Sequence, residues 1–158
     1  MHLPLGLSML SSHKEAEQLL KVLLATLRSA HMIHWTGHWQ VIGDTQYGDH
    51  LLLDRVYSSF PDDIDTLAEK IVSTFGPDAV DPVEQAKMIS ECTAVLTPPC
   101  EPVLQRSLQI EEQLQKLLKA TYDKLKECDN LTLGMDDYIM ALSNTHDTFI
   151  YLLRQRLR

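Results

Sequence analysis

Leu20, Leu24 and Leu27 recur at spacings of four and three, and the same rhythm carried forward lands on His31, His34 and His38. Residues spaced this way lie on one face of an α-helix. The core stripe of the first helix therefore changes from leucine to histidine towards its C-terminal end. Ser12 and Glu15 form an S-x-x-E capping box, which predicts a helix start near Ser11 or Ser12. Gly43 is a natural residue to stop it, with Asp44 or Thr45 starting the next helix.

The second helix is predicted over residues 46–75, with Pro61 interrupting it, and residues 76–82 read as a loop. Asp81-Pro82-Val83-Glu84 reads as an N-cap followed by proline at the first helical position, opening a short helix that ends before Leu96-Thr97-Pro98-Pro99. A third long helix spans about residues 100–128, with Leu104, Leu108, Leu114, Leu118 and Leu125 on one face. After a turn over residues 129–134, the fourth carries Tyr138, Leu142, Phe149, Leu153 and Leu157. The expectation is all-α: four long amphipathic helices, with a short extra helix between the second and third.

A chain of 158 residues suits one domain, residues 1–158, with a single sizeable core. No apolar run reaches the length of about 20 residues that a bilayer span needs, and residues 1–10 lack the basic start and cleavage site of a signal peptide. The expected location is the cytoplasm, with no membrane partner. Cys92, Cys100 and Cys128 are odd in number and widely spaced, so they read as buried, reduced thiols. A formal charge of −8 argues against general nucleic-acid binding and suits a protein that attracts cations.

The chemistry concentrates on the second helix. His50 and Asp54 are four residues apart, as are Asp65 and Glu69, so each pair shares a face. Asp54 and Asp65 are 11 residues apart, close to three turns, so both pairs point the same way. They are also about 16 Å apart along the axis, too far for one ion to touch both. A two-fold axis removes the conflict. If this helix packs antiparallel on its copy in another subunit, crossing near Ser58 and Ser59, His50 and Asp54 of one chain meet Asp65 and Glu69 of the other. Such an isologous contact builds two identical sites. His38 then adds a second imidazole, and two imidazoles with three carboxylates suit divalent iron.

These residues carry a resemblance. His38-Trp39-Gln40-Val41-Ile42-Gly43, followed by His50, Asp54 and Asp65-Thr66-Leu67-Ala68-Glu69-Lys70-Ile71, is similar to the signature of the Dps family of mini-ferritins. There an HWNVxG segment is followed by LHxxFD and then DxxAERI. The spacings of 12, 4, 11 and 4 residues match without a gap, over about 35 residues. The resemblance implies a ferritin-like four-helix bundle assembled into a dodecameric homo-oligomer. It implies a ferroxidase that oxidises Fe(II) with peroxide or oxygen and stores ferric iron. His38, His50 and Asp54 would come from one subunit, and Asp65 and Glu69 from its partner. Trp39 matches a tryptophan beside the site that takes up oxidising equivalents or fills space.

Other readings stand beside this one. His31 and His34 share the face of His38, either as an extra metal site or packed near the bundle end or along a channel. Glu111 and His146 are expected in buried, hydrogen-bonded structural roles, since no helix supplies the Glu-x-x-His of an intrasubunit di-metal site. Pro61 departs from the family pattern and predicts a kink between the two ligand pairs, with Ser58 or Ser59 capping the helical segment beyond it. Arg154, Arg156 and Arg158 complement the dipole of the last helix, and no Lys-rich tail for DNA is present near the start. The competing function is a non-catalytic helical oligomer of the same scaffold that holds zinc or no metal.

Overall fold

The computed structural model describes residues 5–158, with side chains from residue 12 onward. Among the described residues the chain is helical throughout, without strands: α1 (Leu5–Gln40), α2 (Gln46–Tyr57), α3 (Phe60–Phe75), α4 (Pro82–Leu96), α5 (Val103–Glu127) and α6 (Leu133–Arg156). A 3-10 turn, Pro77–Val80, joins α3 to α4. The bundle consists of α1, the successive helices α2 and α3 counted as one, α5 and α6. The short helix α4 lies against α1.

Two helix starts differ from the sequence expectation. Helix α1 begins at Leu5, so the Ser12–Glu15 capping box lies inside it. Leu5, Leu7, Met9 and Leu10 are good helix formers that give no reason to stop at Ser12. The Glu15 carboxylate pairs instead with Lys124 on α5 at 2.8 Å. The predicted second helix is two helices, broken at Ser58-Ser59. Pro61 sits in the first turn of α3, where a missing N–H leaves no intrahelical bond unmade. Ser59 does not cap that turn; its hydroxyl donates backwards to the Val56 carbonyl at 2.8 Å. Both serines keep right-handed helical backbone angles, so the chain passes the break without a sharp turn.

Other local signals are borne out. The Asp81 carboxylate accepts from the backbone N–H groups of Val83 at 3.1 Å and Glu84 at 2.8 Å, with Pro82 opening α4. Gly43 takes φ +96°, a conformation that ends α1 cleanly and that a side chain would strain. The three cysteines are free thiols, but Cys92 and Cys128 are only half-buried and Cys100 is exposed. Cys100 lies in the loop after α4, outside any core stripe. Among the described residues no helix is long and apolar enough to cross a membrane.

The core runs along the bundle through Leu20, Leu23, Leu27, Leu67, Ile71, Ile110, Leu114, Leu118 and Leu142. Phe60, fully buried at the start of α3, packs 5.0 Å from the His146 ring and 5.7 Å from the His34 ring, centroid to centroid. It anchors the break to the core. Phe60→Ala should cost about 3–5 kcal/mol of stability. Urea unfolding would measure it, and a loss under about 1 kcal/mol would mean the break is held by something else.

Candidate metal centre

The last turn of α1 and the first turn of α2 bring His38 and His50 together. Their rings stack with centroids 3.5 Å apart and planes 25° off parallel. Nδ1 of His38 lies 2.8 Å from the His50 carbonyl, and Nδ1 of His50 lies 2.9 Å from the His38 carbonyl. A carbonyl oxygen only accepts, so each Nδ1 carries the hydrogen and Nε2 is the nitrogen left for a ligand. This is the support that metal-bound imidazoles characteristically receive, with the far nitrogen donating to the backbone and the near one free to ligate. Neither Nε2 has a hydrogen-bond partner among the described residues.

Asp54 lies one turn beyond His50, half-buried. Its Oδ1 accepts the Tyr57 phenol at 2.7 Å, while Oδ2 has no partner among the described residues. That hydrogen bond, with partial burial behind it, holds the phenol proton more tightly than usual. The Tyr57 ring stands edge-on to His38 at 5.2 Å and stacks on Trp35 at 5.8 Å. Trp35 in turn lies 5.3 Å from Trp39, which is 63% exposed. Sequence reasoning missed Tyr57 and Trp35. The signal for Tyr57 was its place three residues after Asp54, within reach on the same helix face.

Asp65 and Glu69 are exposed on α3, with no hydrogen bond or ion pair among the described residues. The chain does not bring them to His38, His50 and Asp54. Among the described residues no three His, Cys, Asp or Glu side chains converge closely enough to hold an ion within one subunit. That holds for His38, His50 and Asp54 as well, which do not close on one point within the subunit; two imidazoles and a carboxylate are nonetheless donor types that a divalent cation accepts.

His34 turns into the core of the bundle rather than towards His38. It is fully buried, with Nε2 2.8 Å from Glu111 Oε1 and Nδ1 3.2 Å from the Ser107 hydroxyl. Both nitrogens are engaged, so it does not pair with His31. His31 is half-buried and stacks on Trp35 at 5.7 Å. Burial first, and the neighbouring His34 second, lower its pKa. Glu111 and His146 are buried and hydrogen-bonded to each other, as expected.

No protein-family model matches the chain, and no curated protein matches it in sequence. Solved structures do match. Dps from Thermosynechococcus elongatus superposes with a TM-score of 0.80 at 19% identity, covering 96% of this chain and 95% of that one. DpsC from Streptomyces coelicolor gives 0.76 at 28% identity, with 100% and 91% covered. A Vibrio cholerae O1 Dps protein, described as a member of a broad superfamily of ferritin-like diiron-carboxylate proteins, gives 0.76 at 15% identity, with 94% and 92% covered. The likeness runs the length of the chain in each case.

Proposed function

We propose that this chain, whose fold is that of the Dps proteins in the ferritin-like superfamily, oxidises Fe(II) at sites shared between two subunits. One observation carries the reading: the reciprocal bonds from His38 and His50 to each other's carbonyls, which leave Nε2 on each of the stacked rings for a ligand. Such bonds satisfy a buried N–H in any setting, and they also leave Nε2 as the nitrogen that a cation would meet. Each subunit supplies His38, His50 and Asp54 to one site and Asp65 and Glu69 to the other.

The surface around the half-site supports the sharing. Met32, Trp35 and Trp39 on α1 and Tyr47 and Leu51 on α2 are all exposed, with Tyr47 at 73%. Exposed aromatic and apolar side chains close together in sequence on two neighbouring helices are the kind of surface a second copy covers. That copy brings its own Asp65 and Glu69. When bound, iron supplies the electrons passed to peroxide or oxygen. The protein orients the two imidazoles, steadies Asp54 through Tyr57, and shields the site from bulk water with Trp35 and Trp39. Ferric iron so made is stored in the assembly.

Crystals soaked anaerobically with Fe(II) test this by anomalous scattering at the iron edge. The expected peak lies beside His38, His50 and Asp54, with carboxylates of a second chain completing it. No peak there, or uptake of zinc but not iron, would overturn the reading. Tyr57→Phe is expected to weaken divalent-metal binding about tenfold, since it removes a group that steadies a ligand. Titration with Co(II) followed by visible absorption measures the loss.

A further inference from the structure

Asp49 immediately precedes His50 in the first turn of α2 and is 4% exposed. A carboxylate taken this far out of water needs partners. The structure gives it a fork. Arg156, in the last turn of α6, reaches Asp49 Oδ1 through Nε at 2.5 Å and Oδ2 through Nη2 at 2.9 Å. The same Nη2 contacts the Thr45 hydroxyl oxygen, and that hydroxyl donates to Asp49 Oδ2 at 3.0 Å. A bidentate guanidinium–carboxylate pair fixes direction as well as distance, which a lysine ammonium does not.

Few other groups hold the start of α2. The helix has 12 residues, too few to be stable without tertiary contacts, and it follows the positive-φ Gly43. Thr45 occupies the N-cap position but makes no side-chain cap bond, because its hydroxyl is spent on Asp49. Beneath α2, Leu53 packs with Val41, Leu104 and Leu153, and Val56 enters the main core, so these two side chains set which face of α2 meets the bundle. Apolar packing tolerates small shifts that a bidentate ion pair does not. The fork adds a second directional constraint to the reciprocal His38–His50 bonds, since turning α2 about its axis swings Asp49 out of the guanidinium plane and His50 off the His38 carbonyl together.

We propose that Arg156 is a positioning residue for the metal half-site, acting through Asp49 to set the rotation of α2 and hence the stacking of His50 on His38. The complement to the α6 dipole expected from its place in the sequence is a lesser part of its role. The functional meaning of this positioning rests on the metal reading of His38 and His50, and its physical content on the metal-free geometry.

The experiment compares wild type with Arg156→Gln and Arg156→Lys, using Co(II) titration, thermal unfolding and crystal structures without metal. Arg156→Gln is expected to lower Co(II) affinity about tenfold, in the range typical of groups that support ligands. Its bundle should still unfold cooperatively, and His50 Nδ1 should leave the His38 carbonyl. Arg156→Lys restores charge without the fork and should recover only part of the affinity. If leaving Asp49 buried and unpaired prevents folding, Asp49→Asn with Arg156→Gln removes the stranded charge, and the same losses are expected of it. Wild-type Co(II) affinity with the ring pair in place in a folded variant would overturn the proposal. Should wild type take up no Co(II), the metal reading falls separately, and the ring geometry in Arg156→Gln alone decides whether Arg156 positions His50.

Discussion

Glu111→Ala is expected to destabilise the fold by about 3–5 kcal/mol, the range for removing one partner of a buried charged network. Glu111, His34 and His146 are all fully buried. Glu111 receives Nε2–H of His34 at 2.8 Å and Nδ1–H of His146 at 2.5 Å, so one carboxylate ties α5 to both α1 and α6. Burial by itself pushes this acid up. The hydrogen bonds from His146 and His34, with their charges, more than reverse that and bring it down to about 2. Alanine leaves two buried N–H donors with no acceptor and opens a cavity between them. Glu111→Gln keeps the shape and one accepting oxygen, so its loss should be smaller. The pH dependence has a definite sign. A carboxyl depressed from 4.5 in the unfolded chain to about 2 in the fold contributes stability fully above 4.5 and loses it as pH falls towards 2. That gap is worth about 3 kcal/mol, so the advantage of wild type over Glu111→Gln should shrink by roughly that amount between pH 6 and about pH 2. Urea titrations at several pH values would read it. A pH-independent difference between the two proteins would show that the charge is not what holds the three helices.

How legible this was depends on sequence separation. His38, His50 and Asp54 were readable because helix geometry relates residues within one or two turns of each other, and a short link joins α1 to α2. The change from leucine to histidine along α1 was also readable, but its meaning was not. Three residues advance a helix by about 300° and seven by about 700°, so His31 and His38 share nearly the same direction while His34 is turned about 60° from His31. That offset carries His34 to Glu111 on α5 and leaves the other two facing α2 and α3. Which histidine meets a carboxylate depends on a contact 77 residues away, and the Asp49–Arg156 fork spans 107. Neither has a local signature. Pro61 misled in a different way, because a proline inside an apolar periodic run signals a defect or a helix start equally well. Here it stands in the first turn of α3, just after the break at Ser58-Ser59, with Phe60 buried beside it.

Mixing two inactive variants should restore Fe(II) oxidation, and only a shared site permits this. His50→Ala and Asp54→Ala each remove a ligand from the imidazole half, and Asp65→Ala removes one from the carboxylate half, so each variant alone should lose fast oxidation at every site. In an isologous dimer of His50→Ala with Asp65→Ala, one of the two sites receives both defects and the other receives neither. Random mixing makes half the dimers heterodimeric, so co-folded subunits should recover about a quarter of wild-type activity. His50→Ala mixed with Asp54→Ala should recover nothing, because both defects fall in the same half and every site then carries one of them. Initial rates of Fe(II) oxidation, read by absorbance after co-folding, separate the cases. Activity in neither mixture, with full activity in wild type, would mean that Asp65 takes no part across the interface and that the three residues of α1 and α2 act within one subunit. Activity in the single variants would remove these ligands from the chemistry. The contrast between the two mixtures also protects the test from assembly failure. Both contain the His50→Ala subunit, yet only the first can rebuild a whole site.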